Sequence, residues 1–487
     1  MKQGETSSFP HKTELITERP FSPSSSTAPL SPDTNYRNKG WRASIWYITF
    51  VVALGVATDC FCYAALVPVV PFRLQALGYS NVSGLASWLM VSYAGGQVLA
   101  TFPVAYYFHR HPHRRLPLVG GVITIIGALL LFMFANPYWA MVVARFIQGC
   151  AGTVIWSGEW ISLRVETCDE KNMGRQIGFA FSGIAIGTIA APPIGGALYE
   201  ALGWHAPFVF CIGLCGVDLL MRLLVIEPSR QMSNSNSIQA NSAPSSPLST
   251  TSTFKSETAS STEVNLSPWG VMGKIISSPR GMTALALTGL FGLLVGAFDP
   301  TLTLRVQSVW GKDSSFVGLI YLIACAPAFV AGPITGAMSD KWGVESVAVP
   351  SILLTIPSTL LLLLKTNLPG FIFCFTCIDF FLSCTMSPTG VEVSKIARKT
   401  EGVGEIHQFG AINVAYASSS ALGAIAGGQL YDRPGAGWPA VCWFNFACCI
   451  AVLPLAMLWT GDKPLFWRMI KGQRYTNDQS SDSSSEV

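Results

Sequence analysis

The chain has 487 residues, 50% hydrophobic and only 12% charged, with a mean hydropathy of +0.43. A soluble domain carries about 25% charged residues, so this composition excludes an ordinary soluble enzyme and points to a protein whose mass lies mostly in lipid. The net charge of +4 is small, and no nucleic acid is needed to account for it.

Residues 1–42 are polar and rich in Ser, Thr and Pro; without the early apolar core of a cleavable signal peptide, they are expected to form a disordered tail. Apolar runs long enough to cross a bilayer, roughly 18 residues or more, follow near 46–71, 86–108, 117–135, 138–162, 175–199 and 206–226. A linker rich in Ser, Thr and Asn, residues 228–278, cannot bury a core. Six further runs lie near 282–304, 315–337, 347–365, 370–390, 409–430 and 438–460, and a polar tail occupies 462–487. The expectation is an all-α membrane protein of twelve transmembrane helices in two six-helix bundles, 43–227 and 279–461.

The basic residues orient it. If both termini face the cytosol, the short inner segments hold seventeen Lys and Arg. The outer segments hold five: Arg73, Arg305, Lys312, Lys365 and Arg433. That bias favours both termini inside. Asn81-Val-Ser83, between the first two spans, is then a glycosylation sequon on the outer side. The plasma membrane is favoured over the vacuolar membrane, and the chain is expected to act as a monomer.

The halves echo each other. GGALYE, ending at Glu200, returns as GGQLYD, ending at Asp432, 232 residues on. The segment after span 2, with His109, corresponds to that after span 8, with Asp340. A duplication of this kind places a cavity between the halves near the bilayer midplane. The fifth span carries Gly187, Gly195, Gly196 and a Pro-Pro pair. Such residues weaken soluble helices, but in lipid they let backbones approach closely. Spans 5 and 11 are therefore expected where the halves meet.

An ionisable side chain inside a span costs roughly 2.5–3.5 kcal/mol on insertion scales. Asp59 and Asp379 lie near the middle of spans 1 and 10, one in each half. A carboxylic acid there favours its neutral form and can exchange its proton as water reaches it from alternate sides, or pair with a cationic substrate. Arg145, Gln148, Asp299, Asn413, Tyr63 and Tyr416 are further cavity candidates. Asp299-Pro300 reads equally as a helix-breaking turn near the outer face; Glu159 reads as lining the cytosolic vestibule or, the favoured reading, as interfacial, with Trp156 and Trp160 as anchors beside it. Asp218 and Arg222, spaced i, i+4, read as a structural pair. Cys374-x-x-Cys377 reads as packing rather than a metal or redox site. No nucleophile–base set, metal site or nucleotide-binding loop emerges, so neither an enzyme nor a bound cofactor is expected.

Several segments resemble the major facilitator superfamily. Gly336-x-Met338-Ser339-Asp340-Lys341-x-Gly343 is similar to its loop signature, with His109 in place of the aspartate in the first half. Arg145-Phe-Ile-Gln148-Gly149 resembles a motif of proton-coupled members. Gly178, Gly187, Ala191-Pro192 and Gly195-Gly196 resemble the antiporter signature of exporters, with Ala191 replacing a glycine. Asp59 before Pro68-x-x-Pro71, and Ile378-Asp379, resemble the vesicular amine transporter branch, whose span 11 carries an aspartate where this chain has Asn413. Asp218-x-x-x-Arg222-Leu-Leu-Val-Ile-Glu227 is similar to fungal members. The resemblance implies a twelve-span antiporter driven by the proton gradient. It would export a small organic drug, amine-like compound or secondary metabolite, using Asp59 and Asp379 as proton-coupling residues and Asp340 as a conformational latch. A nutrient-importing symporter, or a non-transporting receptor or scaffold, is the alternative.

Overall fold

The computed structural model describes residues 44–111, 115–166, 170–225, 275–364, 367–386 and 405–461, with residues 42, 273, 389, 390, 392, 393 and 464 beside them. The terminal tails and nearly all of the linker expected from the sequence lie outside these residues.

Among the described residues there are thirteen helices and no strand. In lipid a helix satisfies its own backbone, which is why apolar runs fold this way. The first half comprises α1 (Ile45–Ala64), α2 (Val70–Ala76), α3 (Val82–Arg110), α4 (Arg115–Phe134), α5 (Tyr138–Glu166), α6 (Glu170–Leu202) and α7 (His205–Leu224). The second comprises α8 (Pro279–Trp310), α9 (Ser314–Trp342), α10 (Glu345–Leu361), α11 (Leu368–Ser383), α12 (Glu405–Asp432) and α13 (Gly437–Trp459). Pro68 and Pro71 interrupt the first span, so α2 continues α1 after a turn. Twelve spans result, and an even number returns the chain to the face where it began. We call that face proximal and the opposite one distal.

Each half has its own core. Leu66, Leu129, Phe132 and Phe208 anchor the first; Leu294, Leu302, Ile352 and Val441 anchor the second. The duplication is visible in detail. Trp204, at the entry to α7, donates its indole N–H to the Met133 carbonyl at 2.9 Å, and Arg73 lies 5.0 Å over its ring. Trp438, at the entry to α13, donates to the Leu362 carbonyl at 3.0 Å, with Arg305 5.8 Å from its ring centre. Three of the five basic residues on the distal side thus lie over aromatic rings, Lys312 being 4.9 Å from the Phe316 ring.

The halves join along two seams, α6 against α9 and α12 against α3. Among the described residues, seven helices are long and apolar enough to cross a bilayer by themselves. The seam helices α3, α6 and α12 are not among them, because Gly, Ser and other small residues replace bulky apolar ones where helix meets helix. Spans 5 and 11 do sit where the halves meet, but their glycines serve two partners. Gly187 and Gly195 let α6 lie on the backbone of α1 at Ala57 and Ala65, within the first half; Gly196 faces Ser314 of the second.

Two readings change. Gly336 to Lys341 are not a loop: α9 continues through Trp342 and stops at Gly343, whose φ of +87° suits glycine. The apolar pattern fades at the membrane edge, but the helix does not. Asp299-Pro300 likewise breaks nothing, since α8 runs on to Trp310. A proline inside a packed membrane helix is tolerated because neighbours and local adjustment satisfy the freed carbonyl.

Candidate functional site

A cavity of about 610 Å³ lies between the halves, a size suited to a small organic molecule. Its walls come from α1, α3, α5 and α6 on one side and α8, α9, α11 and α12 on the other. The lining reaches towards the proximal face at Ala105, Thr389 and Gly390.

Three carboxylates line it. Asp59, on α1, is buried, and its Oδ2 accepts a 2.8 Å hydrogen bond from the Trp156 indole of α5. Its Oδ1 has no hydrogen-bond partner among the described residues. Gly152 makes room for it: a Cβ there would stand 3.1 Å from that oxygen. Asp299, on α8, accepts from two phenols at 3.2 Å, Tyr63 of α1 and Tyr321 of α9, so one carboxylate is held from both halves. Asp379, on α11, has the Cys325 thiol of α9 within hydrogen-bonding reach. Asn413 and Tyr416 face the same space from α12, and the Tyr416 ring lies 5.9 Å from Phe291. Tyr63 and Tyr93 pack with ring centres 4.9 Å apart. Among the described residues no Lys, Arg or His lines it.

Arg145 and Gln148 stand behind this wall, bonded to each other at 3.1 Å and outside the lining. The guanidinium lies 5.9 Å from the Tyr63 ring and 5.0 Å from that of Phe132. Its charge therefore acts on the cavity through Tyr63, the residue that also holds Asp299.

Glu159 is buried rather than interfacial, ion-paired with Arg222, which also bonds Asp218 at 2.8 Å. This network packs against Gly55, where a side chain would meet the Arg222 guanidinium. Trp156 is likewise a cavity residue instead of an interfacial anchor. A signal for both exists in the sequence. Arg145, Gln148, Gly152, Trp156 and Glu159 recur at three- and four-residue steps, one face of one helix. The contact between Tyr63 and Asp299, 236 residues apart, leaves no local trace.

Of the remaining candidates, Ala191 and Pro192 are buried in α6, with Pro192 against Gly318 of α9. Gly178 lies in α6, but its surroundings are outside the described residues, as is the Asp340 side chain. Lys341 is exposed, 5.5 Å from the Trp342 ring, and Gly336 is half-buried. Asn81 is exposed, just before α3, with φ of 56°.

The profile of the Major Facilitator Superfamily matches residues 52–298 and 284–466. The chain belongs to that superfamily. An uncharacterized MFS-type transporter of Schizosaccharomyces pombe is 28% identical over 85% of this chain and 94% of its own length. The MFS-type transporter ppzB of Metarhizium majus is 24% identical, covering 78% and 93%. The synaptic vesicular amine transporter of Homo sapiens is 21% identical over 66% of this chain and 57% of its own. Two solved structures share the fold: the nucleoside transporter NupG, with a TM-score of 0.61, 11% identity and 84% and 98% coverage, and a bacterial homolog of the human lysosomal transporter Spinster, at 0.59, 13%, and 90% and 99%. Family, fold and relatives together point to secondary transport rather than enzymatic chemistry.

Proposed function

We propose that this superfamily member exchanges protons for a small organic cation, exporting it by alternating access. The observation that supports this is one cavity whose described lining holds Asp59, Asp299 and Asp379, many aromatic rings and no basic side chain. Carboxylates in an apolar, poorly hydrated space attract a cation strongly, and tyrosine and phenylalanine rings add cation–π attraction. The same carboxylates can instead be neutralised by protons. Proton and cargo then compete for one set of groups, which is the minimum needed to couple an inward proton gradient to outward cargo. The antiporter-like segment from Gly178 to Gly196 supports export, and relatives whose names include an amine transporter support an amine-like cargo. Asn413 in place of a fourth carboxylate fits a cargo other than a biogenic monoamine. The energy source is the proton gradient, with no bound cofactor. The termini face the cytosol, the plasma membrane is the favoured location, and Asn81 is open to glycosylation.

The test is a transport screen in sealed vesicles with an imposed pH gradient, comparing lipophilic cations with neutral and anionic compounds of equal size. Cation accumulation against an acidic interior supports the reading. Uptake of an anionic or neutral nutrient together with protons would replace it with symport.

A further inference from the structure

At the distal face the halves meet through Gln75 and Gln307, 232 residues apart, and through two glycines, Gly196 and Gly428, and two carboxylates, Glu200 and Asp432, related by the same separation. Those two side chains, at the ends of α2 and α8, exchange amide hydrogen bonds of 2.9 and 3.0 Å. Gly196 lets α6 reach α9, where a Cβ would strike the Ser314 carbonyl; Gly428 lets α12 reach α3, where it would strike the Ser87 hydroxyl. One turn beyond each glycine stands a carboxylate. Glu200 Oε1 accepts from the Ser314 backbone N–H at 3.3 Å and from its hydroxyl at 2.9 Å. Asp432 Oδ2 accepts from the Gly84 backbone N–H at 2.7 Å. Ser314 and Gly84 lie in the first turns of α9 and α3, where amides lack a partner within the helix and partial positive charge favours an anion. Asn81, the residue before α3, gives it no side-chain cap, so Asp432 fills from the other half a position the first half leaves open. Asp313 already caps α9 through the Phe316 N–H at 2.9 Å.

We propose that Glu200 and Asp432 are the two arms of a latch that holds the distal ends of the halves together and lets go when the cavity turns to the distal face. The inference rests on the alternating-access reading above. Rocking the halves apart must pull each carboxylate off the opposite half's helix while leaving that helix's own bonds intact. Contacts of this kind set the balance between two states without building either. The arms are unequal: Asp432 is half-buried and serves a helix with no cap of its own, whereas Glu200 is exposed and serves one already capped.

Cys60 and Cys325 line the cavity and serve as built-in reporters. An impermeant maleimide on the distal face reaches them only while that face is open, and peptide mass spectrometry reads each separately. In sealed vesicles with the distal face outward, Asp432→Ala together with Glu200→Ala should raise the Cys325 labelling rate about four- to twenty-fivefold, each arm giving about two- to fivefold. Asp432→Ala should have the larger effect, and Asp432→Asn with Glu200→Gln, which keep an acceptor, should fall between wild type and the alanine pair. Unchanged labelling in an alanine pair that reaches the membrane at wild-type level overturns the latch. In a second arm, Gln75→Cys with Gln307→Cys is closed by oxidation; cargo flux should stop and return on reduction. Full flux through the cross-linked protein also overturns the latch while leaving the transport reading intact. Raised labelling with no cargo flux even in wild type supports the latch and removes the antiport reading.

Discussion

At the scale of single residues, the three cavity carboxylates have different neighbours and should fail differently. Asp379→Asn should abolish accumulation driven by a pH gradient while the protein still folds and reaches its membrane, because a carboxamide cannot exchange protons. Gradient-driven flux at the wild-type level would remove Asp379 as a proton carrier. Asp59→Asn should weaken cationic cargo most. Trp156→Phe keeps a ring but removes the donor that steadies the Asp59 carboxylate. A hydrogen bond to a charged group contributes about 1.5–3 kcal/mol, so the affinity for a cationic cargo should fall about tenfold or more, read by equilibrium binding to the purified protein. Asp59 and Asp379 were legible because a charge inside an apolar run demands a reason. Asp299 was only half legible, since its proline offered a structural excuse. Trp156 was misread because tryptophan beside a polar residue near a span end resembles an interfacial anchor, and only the three- and four-residue rhythm of that helix says otherwise.

Among elements, α6 separates two kinds of close contact that look alike in sequence. Gly195 lies on the Ala65 backbone of its own half, whereas Gly196 lies on Ser314 of the other. Leucine at either site overpacks a tight interface, at typically about 1–3 kcal/mol, but the consequences divide. Gly195→Leu should lower the thermal stability of the purified protein. Gly196→Leu should leave stability closer to wild type and hold the distal face open, so cargo binds yet turns over slowly. Equal loss of stability in both would mean that the seam is a permanent joint. The network of Glu159, Asp218 and Arg222 should be costlier still. Arg222→Met takes the guanidinium away from two buried carboxylates, and breaking a buried pair from one side costs about 3–5 kcal/mol; sharply reduced amounts of folded protein in the membrane are the expected readout. The existence and order of the helices were legible from apolar length alone. Their ends were not: α3 and α9 run past the apolar stretch to Arg110 and Trp342, because helical hydrogen bonding continues after hydrophobicity has stopped.

For the molecule as a whole, the repeat was readable from a hexapeptide echo and from the matching segments at His109 and Asp340, and its depth was not. The paired tryptophans at 204 and 438, and the glutamines at 75 and 307, sit in surroundings too dissimilar to align by eye. A protease site placed within 228–278 should be cut only from the face that bears the termini; cleavage from the opposite face alone would invert the topology. The uneven apolarity of the helices has a consequence for how the protein is made. The seam helices α3, α6 and α12 are among those that do not rank as strongly apolar spans, and each packs one face within its own half while another face finds its partner only in the opposite half. A ribosome that has finished the first half has therefore delivered α6 with the contacts of Gly196 and Glu200 still unmade, and must hold it so through the linker and one further helix before Ser314 arrives. Expressed alone, residues 1–240 should be short-lived in a pulse–chase experiment despite their complete core, and co-expression of residues 241–487 should rescue them, because each half acts as the assembly chaperone of the other.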